Sequence, residues 1–239
     1  MRLSSRTRTT LQQYWGDRLG ISSEAFTRNG VSVGTTAHGG VHLFCFDETL
    51  IISVPTPLQS IAEHRTHSLE NLDTSNRAEI VEWFGNFDTI ETVLGPAFWG
   101  YTDQGVFNSI ESDARILVTA DDSAYDAFRS VVSEDDWDNG GPSFVSGETV
   151  GLFVEGKLVA VSGYEVWDEL IAHISVVTHP EYRGNGYGQA VVSRATETAL
   201  TEGLLPQYRT LDAWPWSVAL AQKLGYTRFA TGYFGVGGQ

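Results

Sequence analysis

Val176-Val177-Thr178-His179-Pro180-Glu181-Tyr182-Arg183-Gly184-Asn185-Gly186-Tyr187-Gly188 is the stretch on which the fold turns. It begins inside the apolar run LIAHISVVTHP at 170–180, whose near-continuous hydrophobicity suits a strand buried in the middle of a sheet. A glycine-rich turn follows. A helix over 189–201 comes next, with Val191, Val192, Ala195 and Ala199 on or near one face and Gly203 and Pro206 closing it. Glycines at 184, 186 and 188 let the backbone bend tightly and approach a ligand with no Cβ in the way. The exposed amides then converge, and the helix N-terminus adds about half a positive charge. Such a concavity suits a phosphate. Arg183 either adds a charged fork to the same anion or holds the loop.

Working outward toward the N-terminus, ETVGLFV and KLVAVSGYEVW read as strands joined by the turn signal Glu155-Gly156. The acidic segment SEDDWDNGGPS at 133–143 reads as a loop, Ser123–Val132 as a helix capped by Asp121 or Asp122, and ARILVTA as a strand. Toward the C-terminus come a strand in QYRTLDA, a short helix over Ser217–Leu224 ending at Gly225, and a last strand over Tyr226–Val236. This order predicts an α/β fold of the α+β type, with a mixed sheet and helices on its faces. Residues 1–110 read as an N-terminal α/β companion domain and 111–239 as the domain that carries the loop. The companion shows a helical pattern over Leu11–Leu19 and strands at 41–46 and 50–54 spaced for a hairpin. Helical patterns at 57–65 and 76–84 and an apolar stretch at 92–101 complete it, with no site motif. The opening MRLSSRTRTT reads as a frayed, solvated terminus.

Lys plus Arg number 15 against 30 Asp plus Glu, a formal net charge of −15. Nucleic acid and anionic membranes are poor partners for so acidic a chain. No stretch reaches the roughly 18 apolar residues of a membrane helix, and no signal peptide is read. The lone Cys45 forms no internal disulfide and reads as a small buried hydrophobe, so the expected location is the cytoplasm. Lys157 and Lys223 are the only lysines. Acid enrichment with lysine depletion resembles the proteins of salt-loving archaea, in which an acidic coat keeps the surface hydrated at high salt.

A glycine-spaced turn also occurs in dinucleotide-binding folds, and Asp212 in the following strand keeps that alternative open. A Walker loop is excluded, because no Gly-Lys-Ser or Gly-Lys-Thr occurs. The run VVTHPEYRGNGYGQAVV resembles the acetyl-CoA pyrophosphate loop of GNAT acetyltransferases: Arg or Gln, two residues, Gly, one residue, then Gly or Ala. Arg183, Gly186 and Gly188 fill that pattern. WPWSVALAQKLGY resembles the segment that ends in Leu-Gly-Phe in many members, and the likeness runs from about 114 to 236. More loosely, the whole chain resembles two-part GNAT proteins with a degenerate N-terminal half.

The resemblance implies a GNAT fold, a mixed and mostly antiparallel twisted sheet flanked by helices. It also implies acetyl-CoA as co-substrate, no metal, and an amine acceptor on a small molecule or peptide. A homodimer is compatible with it. Backbone groups of Val176, Val177 and Thr178 would pair with the pantetheine arm. Amides of Gly184, Asn185, Gly186, Tyr187 and Gly188 beside Arg183 would hold the pyrophosphate, and Ser217 would flank the thioester. Two departures stand out. Trp214 occupies a position where members often carry Asn, and Ala221 one where many carry the Tyr that protonates the leaving thiolate. Ser217 and Tyr233 are candidate replacements. Glu165, Glu169 and His173 are candidate bases, and alternation in an extended strand would put Glu169 and His173 on one face. A structural histidine and a solvated hairpin end are the plain alternatives. Trp214 and Trp216 could shape an acceptor pocket, and the acidic 134–138 segment could draw a cationic acceptor. The pair His64 and His67 reads as a surface pair with no third ligand. A non-catalytic acyl-CoA sensor is the competing function.

Overall fold

The computed structural model describes residues 2–37, 39–69, 73, 74 and 76–237. In chain order the elements are α1 (Ser5–Leu19), β1 (Gly30–Thr35), β2 (Val41–Phe46), β3 (Thr49–Val54), α2 (Gln59–His64), α3 (Thr66–Leu69), α4 (Arg77–Phe84) and β4 (Thr92–Tyr101). Then follow β5 (Arg115–Ile116), α5 (Asp122–Val131), α6 (Glu134–Gly140), β6 (Val150–Val154), β7 (Lys157–Trp167), β8 (Ile171–Thr178), α7 (Tyr187–Thr201), β9 (Leu205–Leu211), α8 (Pro215–Lys223) and β10 (Thr227–Val236). The fold is α+β, with mixed, mostly antiparallel strands flanked by helices, as expected.

Two compact units divide the chain, and they interleave. One gathers 4–99, 210–215 and 228–239; the other gathers 1–3, 100–209 and 216–227. In the first unit the strand order is β1-β3-β2-β10-β4. β2 and β3 form the expected hairpin, β1 lies parallel to β3, and β10 pairs antiparallel with β2. Its core joins Leu43, Ile52, Ile80, Phe84 and Tyr233. The terminus is not frayed at Ser5. The Ser4 side chain accepts from the Thr7 amide and starts α1, whose Trp15 packs edge-on to Trp99 at 4.8 Å. His64 spends its Nδ1 on the Ser60 carbonyl.

In the second unit the order is β9-β8-β7-β6-β5. Neighbours run antiparallel except β8 and β9, which are parallel. α7 lies on β7 and β8 and buries Val191, Val192, Ala195 and Ala199. Each buried valine of that face contributes about 1.5–3 kcal/mol. The segment 133–143, expected as a loop, contains α6. Ser133 caps it by accepting from the Asp136 amide, and Glu134, Asp135 and Asp136 fill the first turn, where negative charge is favourable.

Candidate active site

β8 and β9 are hydrogen-bonded only at their starts. Ile171, Ala172 and His173 stand opposite Leu205, Pro206 and Gln207. Among the described residues the register stops there, so neither Ile174 with Tyr208 nor Ser175 with Arg209 is paired. A fork opens between the strands. The His179 amide donates to Val159 O at 2.8 Å, and the register puts Val161 opposite Val177. Odd positions of β8 therefore bond to β7, and even positions turn their N–H and C=O into the fork. Ile174, Val176 and Thr178 are the even positions. Val177, expected among the fork-facing groups, is the exception: its backbone serves the β7 ladder, and its side chain packs with Leu117, Phe128 and Val161.

Past Thr178 the chain turns through Pro180–Tyr182, where His179 Nδ1 accepts from the Glu181 amide at 3.2 Å. Gly184 and Gly186 each sit at φ 82°, and Gly186 is the residue from which α7 starts. Side chains rarely adopt that conformation. A Cβ built on either would have no protein atom within 4 Å, so both face open space. Among the described residues none accepts a hydrogen bond from the amides of Gly184, Asn185, Gly186, Tyr187 or Gly188. These free donors and the N-terminus of a 15-residue helix make a cradle of the kind that can hold an anion. Gly188 is different. A Cβ there would meet Thr178 Oγ1 at 2.8 Å, so glycine is what lets α7 start against the end of β8.

Arg183 holds the loop. Its Nη2 donates to Asp136 Oδ2 at 2.9 Å and its Nε to Thr178 O at 3.3 Å. The cradle is thereby tied to α6. Gly140 closes the same helix, and a Cβ on it would lie 2.7 Å from Val176 O. Asn185 faces inward to the loop, donating to the Tyr182 and Arg183 carbonyls.

The fork has two faces. On the helix face, Val176, Thr178 and Leu220 surround Gly188. Ser217 of α8 reaches across to β9, with its Oγ 3.0 Å from the Tyr208 hydroxyl. Tyr208 is buried, and burial pushes its hydroxyl pKa up. Ala221 is fully buried. Tyr233, the other candidate, belongs to the other unit, where its hydroxyl donates to Thr74 O. Tyr208 was the residue missed. Sequence alternation marks QYRTLDA as a strand but not which face meets α8.

On the opposite face lies a cavity of about 480 Å³. Glu148, Tyr164, Glu165, His173, Ser175 and Arg209 are among its walls, whereas Trp214 and Trp216 are not. Trp216 instead stands 70% exposed. The His173 ring stacks on Trp167 with centroids 4.4 Å apart, and its Nδ1 lies 2.9 Å from Gln207 Oε1. An amide oxygen only accepts, so Nδ1 carries the hydrogen and Nε2 keeps its lone pair. Gln207 in turn donates to the Tyr101 hydroxyl. Glu165 stands opposite His173 in the β7–β8 register, and its Oε2 accepts from the Trp167 indole at 2.9 Å. Glu169 is not on the strand. Asp168 and Glu169, at φ 50° and 56°, form the tight turn before β8, which starts at Ile171. Glu169 is exposed there and does not share a face with His173.

Burial, with the Arg209 charge adding to it, lowers the His173 pKa from 6.5 to about 4 against the opposing pull of Gln207 and Glu165. The imidazole is neutral at pH 7. An unfolded histidine takes up its proton near pH 6.5, so between there and about 4 the unfolded state binds more protons. Stability therefore falls as pH drops through that window, by on the order of 3 kcal/mol at its lower end. Urea unfolding at pH 7 and pH 4.5 should show this loss, and His173→Gln should remove most of the difference. An equal pH slope in that variant contradicts the assignment.

A family model described as GNAT acetyltransferase matches residues 113–233, just over half of the chain. Among solved structures, a GCN5-related N-acetyltransferase from Kribbella flavida is similar at 19% identity over 87% of this chain and 82% of that one, with a TM-score of 0.50. An acetyltransferase of the GNAT family from Colwellia psychrerythraea is 19% identical over 66% of this chain and 62% of that one, also at 0.50. A GNAT-family protein from Novosphingobium aromaticivorans is 20% identical over 61% and 65%, at 0.47. The chain thus spans under two thirds of the length of the last two. No curated protein matches it.

Proposed function

We propose, starting from the fact that the chain belongs to the GNAT acetyltransferase family, that it is an acetyl-CoA-dependent N-acetyltransferase acting on a primary amine of a small molecule or peptide. The observation that carries this is the two-faced fork. An amide-lined cradle and an unpaired strand edge lie on one face, and a cavity with a neutral histidine lies on the other. The open space at Gly184 and Gly186 fits a pyrophosphate, and the main-chain groups of Val176 and Thr178 fit an amide-bearing arm laid along β8. Bound there, acetyl-CoA supplies an activated thioester.

The residues then divide the work. The cavity holds the amine against the fork. His173 Nε2, its lone pair free, accepts a proton as nitrogen bonds to the acetyl carbon; with a pKa of about 4 it is a weak base, so it relays the proton outward rather than keeping it. Amides at even positions of β8 polarise the carbonyl. Tyr208, kept protonated by burial against the opposing pull of its Ser217 partner, donates its proton to sulfur as the C–S bond breaks. This places a hydroxyl beside α8 even though Ala221 offers none. Ala221 and Trp214 are the features that favour the second reading, an acyl-CoA sensor without turnover. Thiol release from acetyl-CoA over a panel of amines decides between them. Release with at least one amine is expected; a CoA-induced thermal shift with no release across the panel favours the sensor.

In the same reading residues 111–239 carry the chemistry and 1–110 are a companion, with a homodimer and a cytoplasmic location as the setting. Among the described residues no helix is long and apolar enough to cross a membrane. The net charge of −15 with two lysines supports a salt-adapted surface. The melting temperature should then rise between about 0.1 and 2 M KCl, as the Debye length shrinks from about 10 Å toward 3 Å and self-repulsion is screened. A flat or falling series argues against salt adaptation.

A further inference from the structure

We infer that the 480 Å³ cavity on the His173 face selects an acceptor carrying a second positive charge beyond the reacting amine, such as a diamine, a polyamine or a peptide with a cationic side chain near its amine. The inference rests on the acetyltransferase reading and narrows it. Three carboxylates from three separate elements line the cavity: Asp138 from α6, Glu148 from the segment before β6, and Glu165 from β7. Arg209 is the one cationic side chain of that lining, and His173 is neutral at pH 7. The walls therefore carry a net charge of about −2. Glu165 is held in place by the Trp167 indole, and Trp167 in turn stacks on His173. That chain of contacts places a fixed negative charge one strand from the imidazole.

The electrostatic consequence follows from the geometry. Low-dielectric walls focus the field of like charges that face one concave space. A monoamine loses its charge when it becomes the neutral nucleophile, and so gives up its attraction at the moment of reaction. A second ammonium keeps its charge and its attraction through the reaction. It anchors the far end of the substrate while the near nitrogen is deprotonated. The surface as a whole is acidic, and a general field would also favour dications. The distinction is locality: a field from 30 acidic residues barely changes when two are neutralised, whereas the cavity's own field collapses.

The test uses three four-carbon amines of equal reach and different far ends, on the full chain in about 0.2 M KCl where close pairs are not fully screened. Thiol release should give kcat/KM for 1,4-diaminobutane at least about tenfold above 1-aminobutane, with 4-aminobutanoate lowest. In the double variant Glu148→Gln, Glu165→Gln the diamine-to-monoamine ratio should fall to about threefold or less. Both residues are exposed, so the fold does not depend on their charge. Equal rates for the three amines, preference for 4-aminobutanoate, or a ratio unchanged in the variant each overturn the inference. Calorimetry of 1,4-diaminobutane with the CoA-loaded protein separates the two levels. Diamine binding without thiol release removes acetyl transfer and keeps the cavity assignment. Thiol release from all three amines alike keeps acetyl transfer and removes the cavity assignment. Neither binding nor release overturns both.

Discussion

Gly186→Val should leave a folded protein whose affinity for CoA is at least about 100-fold weaker, or about 2.7 kcal/mol. The residue sits at φ 82°, where a β-branched side chain is strained by about 1–3 kcal/mol. Protein atoms do not oppose the new side chain, since nothing lies within 4 Å of the Cβ position. What the isopropyl group meets is the space the pyrophosphate would fill. Strain alone can be subtracted with Gly203→Val. Gly203 has the same φ of 82° and equally open surroundings, but lies just past the other end of α7, away from the cradle. Calorimetry with CoA and thermal melts of both variants give the comparison. Similar losses of stability are expected, with CoA binding lost only at 186. Equal CoA affinity in the two variants would remove the cradle and the cofactor assignment with it.

Tyr208→Phe should lower kcat by about 100-fold, the lower end of what a positioned proton donor contributes, while CoA affinity stays within about twofold. A departing thiolate has a conjugate acid near pKa 8.5, so a hydroxyl kept protonated by burial can supply its proton. Ser217→Ala removes the partner rather than the donor and should reduce kcat by about tenfold or less. The phenylalanine variant leaves half-buried Ser217 without its 3.0 Å partner, a loss of about 0.5–1.5 kcal/mol of stability that a melt will show. Single-turnover measurement isolates the chemical step from product release. If the chemical step in Tyr208→Phe matches the parent, the thiolate departs unaided and Tyr208 is only a packing residue.

The glycine turn and the helix it opens were legible because their physics is local. Glycines at 184, 186 and 188 between an apolar strand and an amphipathic helix admit few conformations, and the backbone that results is the anticipated one. The second unit's strands were legible for the same reason, since each hairpin is closed by a short turn. Failures arose where a local cue was weak or a partner lay far away. Asp168-Glu169 lacks the Asn-Gly signature of a turn with two positive φ values, so the strand seemed to begin early and to include Glu169. The Ser133 cap was hidden in an acidic run that looks like solvated loop. Tyr208 and Gln207 needed knowledge of which helix covers which face of β9. No periodicity in a single chain contains that knowledge.

The position of β10 bears on how the chain is made and cut. Its ten residues lie between β2 and β4, yet 125 residues of sequence separate β4 from its start at Thr227. A fragment ending at residue 110 would expose two naked strand edges where β10 belongs, and such edges invite aggregation. During synthesis the first unit must wait for the last strand to leave the ribosome, with a correspondingly slow search for its contacts. Gene fusions and truncations placed before residue 236 would therefore damage the N-terminal portion first, although the cut is made at the opposite end of the polypeptide.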